Sequence, residues 1–337
     1  MTQSIRKIAA TLAFAFSTLF LFQCGGSSST STGSEKEAGS DKKTLKIAVV
    51  PKGSTHTHWK SVRAGAEKAA QELGVEMLWQ SPQKEDDRQM QIQVVQNFVS
   101  RGVDGIVLAP LDDRALVPSV KAAVGRQIPV VIFDSRLSSD APSAYVATDN
   151  YAGGKLCAKR LAEVLGGKGK IILLRYSEGS ASTAEREKGF LEGMKEYAPQ
   201  VIFLSDNQYA GATIEKAFQS SQNLLNQYDS EVTGIFCSNE SATQGMLRAL
   251  EQKGLAGKVK FVGFDVNQTL LGAIKDGKLL GVVVQDPVKM GYESVKTMVA
   301  IIKGEKYEKT VDTGVKLVTK DNLADPDVVK LLEPHMK

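Results

Sequence analysis

"PVVIFD", residues 129–134, and "KFVGFD", residues 260–265, are two short apolar runs that each end in an aspartate. Each is the fourth run of its kind in its half of the chain. Ahead of the first stand "LKIAVV" (45–50), "VEMLWQ" (75–80) and "GIVLAP" (105–110). Ahead of the second stand "KIILLR" (170–175), "QVIFLSD" (200–206) and "GIFCSN" (234–239). Runs of this length, rich in β-branched residues, predict strands, and their continuous apolar character predicts parallel sheets buried on both faces.

Longer stretches with helical spacing separate the runs. In "DDRQMQIQVVQNFVSRG" (86–102), Met90, Ile92, Val94, Val95, Phe98 and Val99 can share one broad face. Asp86 or Asp87 suits its N-cap, and Gly102 its end. The chain therefore reads as β-α-β-α twice over, two doubly wound α/β lobes with parallel sheets. A further strand "GVVVQD" (281–286), another helix, and "GVKLVT" (314–319) follow. These extra elements predict more than one crossing between the lobes.

The chain has 337 residues and a net charge of +4, enough length for two domains and too little clustered charge for a nucleic-acid surface. Its three cysteines, Cys24, Cys157 and Cys237, include no C-x-x-C pair. Cys157 and Cys237 read as small core residues. The N-terminus differs from the rest. Arg6 and Lys7 precede an uncharged apolar run, Ile8 to Phe22, too short for a comfortable membrane span. Residues 1–23 read as a secretory signal. Cys24 follows directly, as in a bacterial lipoprotein cleavage site, although Gln23 stands where a small residue is usual. Residues 24–43, rich in Ser and Gly, read as a flexible tether from a lipid on Cys24. The folded remainder divides into lobe 1, residues 44–148 plus 286–312, and lobe 2, residues 149–285 plus 313–337.

In open parallel sheets ligands sit beyond the carboxyl ends of the strands. The residues there are Ser54 to Trp59, Asp134 to Arg136, Asp149, Arg175, Asn239, Glu240, Asp265 and Gln285. They supply carboxylates, amides and guanidinium groups, the donors and acceptors that suit a polar small molecule. No phosphate-binding glycine loop is present; "GGKGK" (166–170) lacks that spacing and reads as a turn.

At these residues the sequence resembles the type I periplasmic binding proteins, in the ribose- and galactose-binding branch, over roughly Leu45 to Thr319. The motifs that carry the resemblance are "GVDGIVLAPLD", "IPVVIFDS", "YVATDNYAGGKLCA", "STAEREKGF", "IFCSNESATQGMLRAL", "VKFVGFD" and "VVVQDPVKMGY". The resemblance implies two lobes joined by a three-stranded hinge, with crossings near Ala147–Asp149, Gln285–Pro287 and Asp312–Gly314. It implies a substrate-binding component of an ABC importer for a neutral sugar or polyol, periplasmic or extracytoplasmic. Its partners would be the sugar and the inner-membrane permease, not nucleic acid, and the membrane only through the lipid anchor. It would be a monomer without cofactor, metal or enzymatic activity. Carried over by position, the ligand residues are Asp134, Arg186, Asn239, Asp265 and Gln285. Trp59 stands where the family stacks an aromatic ring, and His58 where a second is common. Ala212 replaces another aromatic; Tyr209 is the candidate substitute.

Each assignment has a plainer alternative. Asp265 could cap the helix beginning near Asn267. Arg186 could form an exposed salt bridge with Glu185 or Glu187. His56 could be solvated, or could touch the ligand. His56 and His58 could bind zinc, but only His335 remains as a further histidine. Among function classes, a transcriptional repressor would need a helix-turn-helix where the signal segment lies. A periplasmic sensor presenting its ligand to a receptor kinase or chemoreceptor would use the same lobes.

Overall fold

The structure, a computed structural model, describes residues 44–336. The signal segment, Cys24 and the tether lie outside these residues. The first lobe opens with β1 (Lys46–Val50), α1 (Thr57–Leu73), β2 (Glu76–Trp79), α2 (Arg88–Arg101), β3 (Gly105–Leu108), α3 (Val117–Gly125), β4 (Val130–Phe133) and β5 (Ala144–Ala147). The second repeats the pattern with α4 (Asn150–Leu165), β6 (Lys168–Arg175), α5 (Ala181–Tyr197), β7 (Gln200–Tyr209) and α6 (Ile214–Tyr228). It continues through β8 (Gly234–Cys237), α7 (Glu240–Gln252), β9 (Lys260–Phe264), α8 (Gln268–Lys275) and β10 (Gly281–Gln285). The chain then runs through α9 (Pro287–Lys303), β11 (Thr310–Asp312), β12 (Val315–Val318) and α10 (Pro326–Leu332) to a 3-10 turn, Glu333–Met336.

The sheets have the same order in the two lobes: β11-β5-β4-β3-β1-β2 and β12-β10-β9-β8-β6-β7. All neighbours are parallel except β12, which runs antiparallel to β10. The chain passes between sheets after β5, after β10, and between β11 and β12, which makes the three-stranded hinge. The two-residue period of β1 explains the layering. Ile47 and Val49 pack with α1 and α9, through Val62, Met290 and Met298. Ala48 and Val50 pack with α2 and α3, through Val94, Phe98 and Val120.

Local chemistry sets the helix ends. Asp87 caps α2 by accepting from the Met90 amide, and Gly102 closes it in the left-handed region at φ 64. The expected apolar face of α2 needs one correction. Met90 is exposed, and Gln91 is buried instead. The Gln91 amide donates to the Pro51 and Ala109 carbonyls and its oxygen accepts from the Leu111 amide, so it ties the ends of β1 and β3 together. A polar side chain with its groups satisfied can replace an apolar one at such a position. Gly166 and Gly167 form the turn expected between α4 and β6. Cys157 and Cys237 are buried free thiols.

Candidate functional site

The carboxyl ends of the strands converge on a narrow cavity between the lobes. His58, Trp59, Asp134, Arg186, Asn239, Asp265 and Gln285, the residues singled out in the sequence, all line it. So do Lys52, His56, Glu85, Tyr176 and Glu240.

Arg186 is held from every side. Its Nε donates to Asn150 Oδ1 at 2.8 Å and its Nη1 to the Ser238 carbonyl at 3.1 Å. Asp265 Oδ2 lies 3.5 Å from Nη1, and the guanidinium carbon sits 3.8 Å from the centre of the Phe264 ring. The surface pairing considered from sequence does not form: Glu185 pairs with Arg136 and Glu187 with Arg175. Two glycines allow this placement. A Cβ on Gly154 would meet the Arg186 carbonyl oxygen at 2.0 Å, and one on Gly189 would meet the Tyr151 oxygen at 2.1 Å. Backbone contact between α4 and α5 thus fixes where Arg186 projects.

Asp265 does not cap α8; Asn267 does, accepting from the Leu270 amide. Asp265 is therefore left facing the cavity, where its Oδ1 accepts from Gln285 Nε2 at 2.7 Å. On the opposite wall, Asp134 lies 2.9 Å from Lys52 Nζ and 3.3 Å from His58 Nε2. Burial alone would raise its carboxyl pKa, but Lys52, His58 and Arg186 hold it well below the usual carboxylate range.

A second cluster surrounds Glu85. Its Oε1 is 2.5 Å from His56 Nδ1 and accepts from Trp59 Nε1 at 2.6 Å; its Oε2 accepts from Tyr176 Oη at 2.8 Å. His56 is thus neither solvated nor free. Burial would lower its pKa, but Glu85 overcomes that and pushes it up to about 9. Glu85 is correspondingly brought down to about 2 against the effect of its own burial.

Several of these bonds join one lobe to the other. Tyr176 follows β6, whereas Glu85 follows β2. Lys52 donates across the cleft to Ser182 at 3.0 Å. The Glu240 carboxylate accepts from the Thr57 and His58 amides at 3.4 Å each. His56, the N-cap residue of α1, makes no side-chain cap of its own. Glu240 of lobe 2 therefore supplies the negative charge that the α1 N-terminus favours. The lobes are closed on one another.

The cavity retains unmatched hydrogen-bonding capacity. Among the described residues, the buried side-chain atoms without an aligned hydrogen bond are His58 Nδ1 and Nε2, Asp134 Oδ2, Gln285 Oε1, and both ring nitrogens of His335. The Lys52 ammonium is near Asp134 Oδ2 but off its hydrogen-bonding direction. Acceptors and donors orphaned on both walls of one cavity are suited to an occupant rich in hydroxyl groups. Among the described residues no group of three or more His, Cys, Asp or Glu is arranged to hold a metal ion.

Sequence reasoning missed Lys52, Glu85 and Tyr176. The same strand-end rule could have found them, since they follow β1, β2 and β6; their neighbours in sequence drew the attention instead. Tyr176, not Tyr209, brings an aromatic ring from lobe 2 into the cavity. Tyr209 ends β7 at 41% exposure, and Ala212 is buried. Asp149 caps α4 through the Ala152 amide, and Arg175 binds Glu187 and the Asp206 carbonyl, so both are structural.

Residues 47–306 match the family model described as a periplasmic binding protein domain. The chain is 30% identical over 274 residues to the ribose import binding protein RbsB of Salmonella typhimurium, covering 81% of this chain and 90% of the relative. A carbohydrate transporter solute binding protein from Agrobacterium radiobacter, solved in complex with D-arabinose, superposes with a TM-score of 0.82 at 34% identity, covering 86% of this chain and 99% of the other. An ABC transporter solute binding protein from Agrobacterium vitis with bound D-fucose superposes with a TM-score of 0.81 at 38% identity, covering 87% and 100%.

Proposed function

Since the chain belongs to the periplasmic binding protein family, and within it to the type I sugar-binding proteins of ABC transporters rather than to enzymes, we propose that it captures a neutral sugar or polyol in the interlobe cavity and delivers it to an inner-membrane ABC permease. The observation that carries this reading is the hydrogen-bonding capacity left open on opposite walls: His58 Nδ1 from lobe 1 and Gln285 Oε1 from lobe 2. A vicinal diol can donate to both walls at once. Its binding energy is then available only when the lobes meet, which is the differential affinity that closure requires.

The charged groups already have partners: Lys52 with Asp134, His56 with Glu85, Arg186 with Asp265. An ionic ligand would leave one of these charges uncompensated in a buried site, a costly outcome. A neutral ligand fits without that penalty. Trp59 adds a ring for the apolar C–H face of a sugar.

On this reading the protein is extracytoplasmic, acts as a monomer, and is tethered to a membrane by lipid on Cys24. Cys24→Ser should release it from the membrane fraction; retention there would remove the anchor from the proposal. The ligand reading is tested by a thermal-shift screen over pentoses, hexoses, sugar alcohols and nucleosides. A ligand at 100 times its Kd adds ~2.7 kcal/mol of stability. Asp265→Asn should lose that response. The reading fails if no sugar or polyol shifts the wild type, or if the variant responds equally.

A further inference from the structure

We propose that the C-terminal turn Glu333–Met336 is a strap from lobe 2 onto lobe 1, and that His335 within it is a positioning residue that supports His58 and Gln285 from behind the cavity. The inference rests on the cavity being the ligand site.

The strap begins in lobe 2. Val328 and Leu332 of α10 are buried in that lobe's core, with Val282 and Val318 of its sheet. Within two residues the chain reaches the other lobe, where the Pro334 carbonyl accepts from Ser61 Oγ of α1 at 3.2 Å. This is a passage between lobes in addition to the three hinge strands, and it lies beyond the residues that match the family model.

His335 is 3% exposed and, among the described residues, is the one with buried side-chain atoms lacking an aligned hydrogen bond that does not line the cavity. Its ring lies against the Gln285 backbone and interacts electrostatically with His58, Asp265 and Asp286. Those groups come from α1, from the end of β9 and from the β10–α9 crossing. The strap thus packs where a hinge strand leaves lobe 2 and where α1 of lobe 1 meets it. Opening of the lobes would separate these surfaces, so docking of the strap and closure are one event.

Docking favours the neutral imidazole. Burial and His58 bring the His335 pKa down to about 4, against the pull of Asp265 and Asp286. A group whose pKa is lower when docked than when free contributes fully above its ordinary pKa, near 6.5, and loses that contribution as pH falls toward the docked value. With those two values, docking at pH 5.0 should be weakened by roughly thirtyfold relative to pH 7.5.

The test needs no ligand. Hydrogen-exchange protection factors, corrected for intrinsic rates, are measured at pH 7.5 and 5.0 for the strap amides and for Thr57 and His58. In the wild type both segments should lose tenfold or more of their protection together at pH 5.0. His335→Gln and His335→Phe should each abolish that joint pH dependence, and removal of residues 333–337 should lower Thr57 and His58 protection at pH 7.5. The inference is overturned if either folded variant keeps the wild-type pH profile, or if the truncated chain protects Thr57 and His58 normally. A failed sugar screen would leave these measurements intact, so the two readings fail separately.

Discussion

Asp134 and Asp265 occupy the same place in the two lobes. Each follows its lobe's fourth strand, each adopts a left-handed backbone conformation at φ 60 and 65, and each donates its amide to the next strand, to Val146 and Val283 respectively. Apart from Gln127, they are the non-glycine residues with positive φ among those described. Aspartate and asparagine tolerate this region better than other side chains do. The turn aims each carboxylate off the end of the sheet into the cavity, and the same device is used from both walls.

The equivalence has an unequal energetic consequence. Asp134→Asn and Asp265→Asn should both fit the backbone and both weaken ligand binding about fivefold or more, since an unmet buried hydrogen bond costs ~1–3 kcal/mol. Only Asp134→Asn should also destabilise the fold strongly, by ~3 kcal/mol or more, because it strands the buried Lys52 charge. Arg186 keeps Asn150 and Ser238 when Asp265 is neutralised. Urea unfolding of the two variants, and of Lys52→Gln with Asp134→Asn, reads the difference; equal stabilities would contradict the pairing.

Tyr176→Phe removes one bond between lobes and leaves the buried ring in place. Net hydrogen-bond contributions of ~0.5–1.5 kcal/mol predict a two- to tenfold weaker ligand affinity. The loss should fall mainly on the dissociation rate, because the bond forms only on closure. Stopped-flow measurement of both rates checks this.

The His56–Glu85 pair sets an alkaline limit. A histidine whose pKa is raised to about 9 contributes fully below its ordinary pKa and loses that contribution as pH rises through 9. Glu85, lowered to about 2, contributes above its ordinary pKa and is lost only in strong acid. Melting temperature should therefore fall between about pH 6.5 and 9.5. In His56→Gln with Glu85→Gln that slope should flatten; an unchanged slope would assign the effect to other groups.

Trp59 is nearly fully buried, edge-on to Phe133 at 6.2 Å between centroids, and anchored to Glu85. Trp59→Ala should cost ~3–5 kcal/mol in stability, as for other buried aromatic truncations. It is thus a poor probe of ligand contact. Trp59→Phe keeps an aromatic face while releasing the Glu85 bond, and should weaken binding modestly with less loss of stability. In a Trp79→Phe background, Trp59 fluorescence should respond to sugar; silence on saturation would place the ligand away from the indole.

The fold was legible because its signals are local. Continuous apolar runs, helical spacing between them, and the recurrence of "IFD" and "GFD" specify two parallel sheets without reference to anything distant in the chain. The strand-end rule likewise located Asp134, Asp265, Asn239 and Gln285, since it depends only on where a strand stops. Arg186 was found through its motif, but its setting was not: Asn150, Ser238 and Phe264 approach it from other elements. The apolar face of α2 was misjudged at Met90 and Gln91, because periodicity cannot foresee that a glutamine will bridge the loops after β1 and β3.

What the sequence could not determine is how the two walls meet. Lys52 with Ser182, Glu85 with Tyr176 and Glu240 with the α1 N-terminus are pairs far apart in the chain. Each member is an ordinary polar residue near a strand end. Its partner is chosen by the register of one lobe against the other, which the hinge and closure decide. His335 is the extreme case. Nothing near it in sequence suggests a buried position, and only the packing of α10 in lobe 2 and of the following turn on α1 buries it. Local pattern determines elements because backbone conformation and burial face are short-range properties. The electrostatic partners of a buried charge are set by distance in space, and that is fixed by tertiary structure alone.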